Sequence, residues 1–211
     1  MMQGRLLVLL KLKLISKTNN KKLKAMNNMN STKVVTGKVR FCYANVFEPT
    51  AMNEGETPKY NICVLIPKSD TATLDKIKNA IEAAKELGKA KLADKSGRIP
   101  STIKMPLRDG DEERSDDPAF ANCYFINANS RRQPSIVDCA LNPIMSRDEF
   151  YSGCYGRVSL TFYAFNVTSK GIAAGLNNIQ KLEDGEMLAG GTTAVEDFGG
   201  NNAIQDFNDM L

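Results

Sequence analysis

The stretch GRVSLTFYAFNV at 156–167 alternates more regularly than any other part of the chain. Val158, Leu160, Phe162 and Ala164 fall on one face; Arg157, Ser159, Thr161, Tyr163 and Phe165 fall on the other. A period of two over this length predicts a β-strand with one side in a core. The other side combines a cation, two hydroxyls and two rings. Such a face suits an unpaired nucleic-acid strand, because bases stack on rings at about 1–3 kcal/mol each while the guanidinium holds phosphate. Duplex DNA has its bases already stacked and gains nothing from the rings. The same face is also what a second core or a partner interface would need.

Working outward, residues 32–47 (TKVVTGKVRFCYANVF) read as one long strand. Val35, Val39, Phe41 and Tyr43 would share one face, with Lys38, Arg40 and Cys42 opposite. Residues 60–67 (YNICVLIP) are a near-continuous apolar run, as in a strand buried on both sides. Further strands are expected at 120–128 and 135–138. Between them lies the one strong helix signal. Asp70 can cap it, Leu74, Ile77, Ile81 and Ala84 recur at three- and four-residue spacing, and Gly97 lies beyond its expected end. One amphipathic helix inserted among strands predicts a mainly β protein, a barrel with a helical cap rather than a βαβ array. Residues 108–117 (RDGDEERSDD) read as a solvated loop whose carboxylates lack calcium-loop spacing. Residues 171–181 (GIAAGLNNIQK) read as a tight connection.

The net charge of the 211 residues is +4, but the two signs are segregated. Residues 1–40 hold ten Lys and Arg and no acid, whereas residues 183–211 hold seven acids and no Lys or Arg. A basic body with an acidic end predicts a polyanion partner and a tail that competes with it. The apolar run Leu6 to Leu10 is far shorter than the roughly 20 residues that span a bilayer, so no membrane segment is expected. Met26 or Met29 is read as the natural start.

Five scattered cysteines without a C-x-x-C, and no histidine, supply neither a zinc-ligand set nor the commonest general base. No phosphate loop, dinucleotide fingerprint or paired-carboxylate motif is present. The expectation is a binding protein with no cofactor, no metal and no catalytic residue.

Candidate nucleic-acid contacts are Lys38, Arg40, Lys59, Lys104, Arg108, Arg131, Arg132, Arg157, Tyr163 and Phe165. Arg131-Arg132 is the most pointed cation pair, lying in a loop between Asn129 and Pro134, although a salt bridge to the acidic loop is the alternative use. Asp206, Phe207, Asp209 and Leu211 form an acidic end with apolar groups that could dock on a partner.

Four blocks together resemble the OB-fold single-stranded DNA-binding proteins of phages and prophages, once grouped as a phage domain of unknown function. They are TKVVTGKVRFCYANVFEP (32–49), YNICVLIPKSD (60–70), YSGCYGRVSLTFYAFN (151–166) and KGIAAGLNNIQKLEDGE (170–186). The resemblance spans about 32–190. It implies an OB-like five-stranded barrel with an inserted helix that binds single strands without sequence preference. It also implies homodimers and an acidic tail contacting the replication machinery: a phage DNA polymerase, helicase-primase or recombinase. The expected organisation is a basic, disordered extension at 1–31, the DNA-binding domain at 32–190 and a flexible acidic tail at 191–211. Its setting would be replication and recombination in the cytoplasm of a bacterial host. The competing expectation is a β-rich interaction or virion structural module that ignores nucleic acid.

Overall fold

A computed structural model describes residues 31–51 and 55–188. Eight strands make one sheet: β1 (Lys33–Val35), β2 (Val39–Thr50), β3 (Lys59–Pro67), β4 (Arg108–Asp109), β5 (Cys123–Ser130), β6 (Ser135–Val137), β7 (Tyr155–Asn166) and β8 (Lys170–Glu183). β7 pairs with β2 on one side and β8 on the other, so β7-β2-β3-β5-β8 close into a five-stranded barrel. The β5–β8 seam is parallel and the remaining pairings around the ring are antiparallel. This is the mainly β barrel with one main helix that the sequence pattern predicts, in the OB-like form that the resemblance implies.

The barrel interior is filled by Phe41, Ile62, Val64, Ile66, Ile126, Val158, Leu160, Phe162, Ile172, Ala174 and Ile179. Period-two reading identified Phe41, Val158, Leu160 and Phe162 among them, because β2 and β7 alternate there. Helix α1 (Thr71–Leu87) closes one end with Leu74, Ile77, Ala80, Ile81 and Ala84 buried. Its larger apolar side chains contribute roughly 1.5–3 kcal/mol each by leaving water. Asp70 caps it, accepting from Thr73 N at 3.0 Å. The helix ends at Gly88, before Gly97 as expected, where the chain passes against β7: a Cβ on Gly88 would lie 2.1 Å from that of Ala164. A single turn, α2 (Lys89–Leu92), follows.

Several expectations need correction. Residues 32–47 are not one strand. The chain breaks at Thr36 to Lys38, where Gly37 N donates to Thr73 Oγ1 at 2.8 Å and a Cβ would press on Asp70 and Thr73. The break and an irregular register after Cys42 shift the faces: Val35 and Tyr43 are exposed and Cys42 is buried. Tyr43 has φ of 49°, consistent with that irregularity. Phe120 belongs to a 3-10 turn (Pro118–Phe120), not to a strand.

The 171–181 connection is instead most of β8, the longest strand of the sheet. Gly and Ala have little intrinsic strand preference, and pairing along nearly all of β7 overrides it. The 108–117 loop is likewise structured, with β4 pairing β5 and a short helix, α3 (Gly110–Glu113), behind it. Lys68 bridges Asp109 and Asp111, at 2.7 Å to each, and Asp111 accepts from Asn122 N at 2.8 Å. The two expected tails fall almost wholly outside the described residues.

Candidate nucleic-acid interface

The outward side of β7 carries Tyr155, Arg157, Ser159, Thr161, Tyr163 and Phe165 in a line, at about 6.5–7 Å per step of two residues. Tyr163 is 44% exposed, Phe165 is half-buried and Arg157 is exposed. Opposite them on β8 stand small or amide side chains, except that Tyr155 faces Glu183. Phe165 faces Gly171, Tyr163 faces Ala173, Thr161 faces Gly175 and Arg157 faces Gln180. The rings of Tyr163 and Phe165 therefore stand beside a floor with almost no side chain. A Cβ at Gly175 would only touch Tyr163, whereas one at Gly171 would lie 2.6 Å from Lys104 O and 2.9 Å from Phe165 Cε1. That glycine is what lets the Lys104 segment run alongside β8: Lys104 N donates to Lys170 O at 3.0 Å, and Ile172 N donates to Lys104 O at 2.9 Å.

Six of the ten sequence candidates share this stripe. Lys104 is exposed at its Phe165 end. Lys38 and Arg40 lie at the other end over the Tyr155 ring, at 5.0 and 5.5 Å from its centroid. Those two are already engaged. Lys38 is paired with Glu183, and Arg40 donates to Glu186 O at 2.9 Å and Gly153 O at 3.3 Å. Arg157 Nε donates to Thr36 O at 3.2 Å, at the β1–β2 break beside β7.

The other four lie elsewhere. Lys59 and the Arg131-Arg132 pair meet where β3 begins and β5 ends, since Tyr60 pairs with Ser130. No salt bridge joins Arg131 or Arg132 to an acid among the described residues. Arg108 belongs to a different environment, paired with Glu113 and lying 4.6 Å from the Phe125 ring centroid. The Glu113 carboxylate beside it raises the Arg108 pKa, and Arg108 lowers that of Glu113.

Sequence reading missed a row of amides. Asn45, Asn61 and Asn129 are laterally paired across β2, β3 and β5, and Asn129 is next to Gly175 of β8. Thr161 of β7 and then Lys33 of β1 continue the row. Asn177 donates to Thr161 Oγ1 at 2.9 Å. The signal was present in Phe125-Ile126-Asn127-Ala128-Asn129, where asparagine takes the positions opposite in parity to the buried Ile126 and Ala128. Among the described residues no cluster of Cys, Asp or Glu is arranged to hold a metal ion, and no helix is long and apolar enough to cross a membrane.

A closed OB barrel with rings, amides and cations along an open wall defines a nucleic-acid-binding class of protein rather than an enzyme. Within that class the chain belongs to the family described as Enterobacter phage Enc34, ssDNA-binding protein, whose model matches residues 32–209. A putative protein p50 of Acyrthosiphon pisum secondary endosymbiont phage 1 is 32% identical over 178 residues, covering 79% of this chain and 92% of the relative. Among solved structures, the single-stranded DNA-binding protein from bacteriophage Enc34 in complex with ssDNA matches with a TM-score of 0.62 at 25% identity. That match covers 75% of this chain and 90% of the other. The fold alone is shared with gp2.5, a single-stranded DNA-binding protein encoded by bacteriophage T7, at TM-score 0.55 and 14% identity over 78% and 99% of the two chains.

Proposed function

We propose that this phage single-stranded DNA-binding protein coats and protects unpaired DNA during phage replication and recombination, with the strand laid along the β7–β8 wall. The observation that carries the reading is the pairing of an exposed and a half-buried ring with a bare floor: Tyr163 beside Ala173 and Phe165 beside Gly171. Bases would stack on those rings while Arg157 and Lys104 meet phosphates, and the amide row toward Asn129 and Asn61 would guide the strand to Lys59, Arg131 and Arg132. None of these contacts selects one base over another. The relative solved with ssDNA supports the reading.

The acidic end would act as a competitor and a hook. Asp206, Phe207, Asp209 and Leu211 would occupy the basic wall when DNA is absent and recruit a polymerase, helicase-primase or recombinase when DNA displaces them. Homodimers in the host cytoplasm, with a working domain over 32–190, complete the proposal.

Fluorescence anisotropy with matched single- and double-stranded oligonucleotides tests it. Single strands should bind more tightly, with affinity falling as salt rises at a slope of about −0.7 per phosphate neutralised. Equal affinity for both forms would overturn the reading. Deleting residues 196–211 should tighten DNA binding and abolish partner capture; weaker DNA binding would contradict the competition.

A further inference from the structure

The Phe165 end of the stripe does not stop at Lys104. The chain from the end of α1 back to Lys104 wraps around the tip of the β7–β8 hairpin, and Lys89, Lys91, Lys95 and Arg98 lie along it, all exposed. The segment is tied to the hairpin at two points. Lys170 Nζ donates to Ala93 O, and the Lys104 backbone bonds to Lys170 and Ile172. No acid neutralises these four cations through a salt bridge among the described residues. Of the carboxylates nearest along the chain, Glu86 forms no salt bridge with Lys89 among the described residues, and Asp94 is turned into its own loop: it accepts from Ser96 N, Ser96 Oγ and Arg98 N at 2.8, 2.6 and 3.1 Å. The contrast with the opposite end is direct, since Lys38 there is held by Glu183.

We infer that the α2-to-Lys104 segment is a second, purely electrostatic track, which takes the phosphates of a single strand after its bases have left the rings. This rests on the proposed strand path and extends it beyond the aromatic wall. The segment offers no exposed ring, so it can hold only the backbone. Its contribution should therefore scale with the length of DNA and be screened by salt. Short oligonucleotides would fill the wall without reaching it.

The test compares the full chain with a K89Q/K91Q/K95Q/R98Q variant, using oligonucleotides of about 8 and about 24 nucleotides, the shorter within one barrel's usual footprint. All four side chains are exposed, and matched thermal melts check folding. The K76Q/K78Q variant, altered on the exposed face of α1, controls for net charge. For the long oligonucleotide the quadruple variant should lose about 2–3 from its salt slope, at about 0.7 per lost phosphate contact, and about tenfold in affinity. The short oligonucleotide should bind it as it binds the parent.

Parental binding of the long strand would overturn the inference. So would equal loss on both lengths, or an equal loss per charge in the control. If a peptide of residues 196–211 binds the parent but not the variant while long-strand binding stays unchanged, the track holds acidic polypeptide and the inference fails. Failure of the wall itself has a different signature: Tyr163→Ala would then bind both lengths as the parent does.

Discussion

The barrel has two outer regions built from the same vocabulary, aromatic rings and arginines, and they have opposite fates. On β7 the rings of Tyr163 and Phe165 stand beside glycine and alanine, and no carboxylate occurs between Arg157 and Phe165 or between Gly171 and Lys181. Across the barrel, over β3 and β5, Phe120 and Phe125 pack edge to face at 5.2 Å and are buried with Cys42, Cys63 and Leu65. There the short helix and 3-10 turn form a lid. Arg108 and Arg114 lie over the buried rings, Glu113 pairs with Arg108, and Asp109 and Asp111 pair with Lys68. A ring–guanidinium pair is therefore not in itself a binding site. What separates a wall from a lid is whether an acid and a covering segment have already taken the partners. The thiols repeat the point: Cys42 lies opposite Cys63 across the β2–β3 pair, and that neighbouring thiol and burial raise its pKa.

The largest effect that would break the comparison is on stability. Phe125→Ala removes a buried ring from the lid and should cost about 3–5 kcal/mol in urea denaturation. Molecules that remain folded should bind single-stranded DNA normally; a specific affinity loss would make the lid part of the interface.

Next in size are the wall rings. Tyr163→Ala should reduce affinity for single strands by about 1–3 kcal/mol, or about 5–150-fold, with little change in melting temperature. An unchanged Kd by anisotropy would strip the wall of its role.

A smaller contrast sets two arginines against each other. Arg157→Gln should lower the magnitude of the salt slope by about 0.7, the worth of one phosphate contact. Arg108→Gln should leave the slope alone and cost under about 1 kcal/mol of stability, because its ion pair with Glu113 is partly solvent-screened. Equal slopes for the two variants would erase the distinction.

The smallest effect is acid sensitivity. Lys68 beside Asp111 and Arg108 beside Glu113 hold these carboxyls below their usual range. A depressed carboxyl pKa adds stability that is present above the ordinary carboxylate range and lost as pH falls through the lower folded value. Amide exchange at Asn122, whose N–H rests on Asp111, should speed up on acidification relative to the β7–β8 ladder, after correction for intrinsic exchange. Uniform change across both regions would show that the lid has no separate acid response.

How much was legible in the chain follows from these particulars. The alternation in 156–167 survives intact because β7 is paired over most of its length and keeps one face in the core. The helix over Thr71–Leu87 was equally readable, since its cap and apolar spacing are local. β8 was not, because Gly171, Ala173 and Gly175 are chosen for what stands next to them on β7 and at Lys104, and neighbours across a sheet leave no local mark. The lid was missed for a related reason: RDGDEERSDD looks solvated until Lys68 and Asn122 arrive from distant parts of the chain to satisfy Asp109 and Asp111.

Sequence alone determined the strand and helix periods, and with them which side chains of β7 point away from the barrel core, since period and polarity are properties of consecutive residues. Only the tertiary structure decided which cations remain free. A lysine or arginine is available to a phosphate when no carboxylate has been folded against it, and that depends on contacts between residues far apart in the chain.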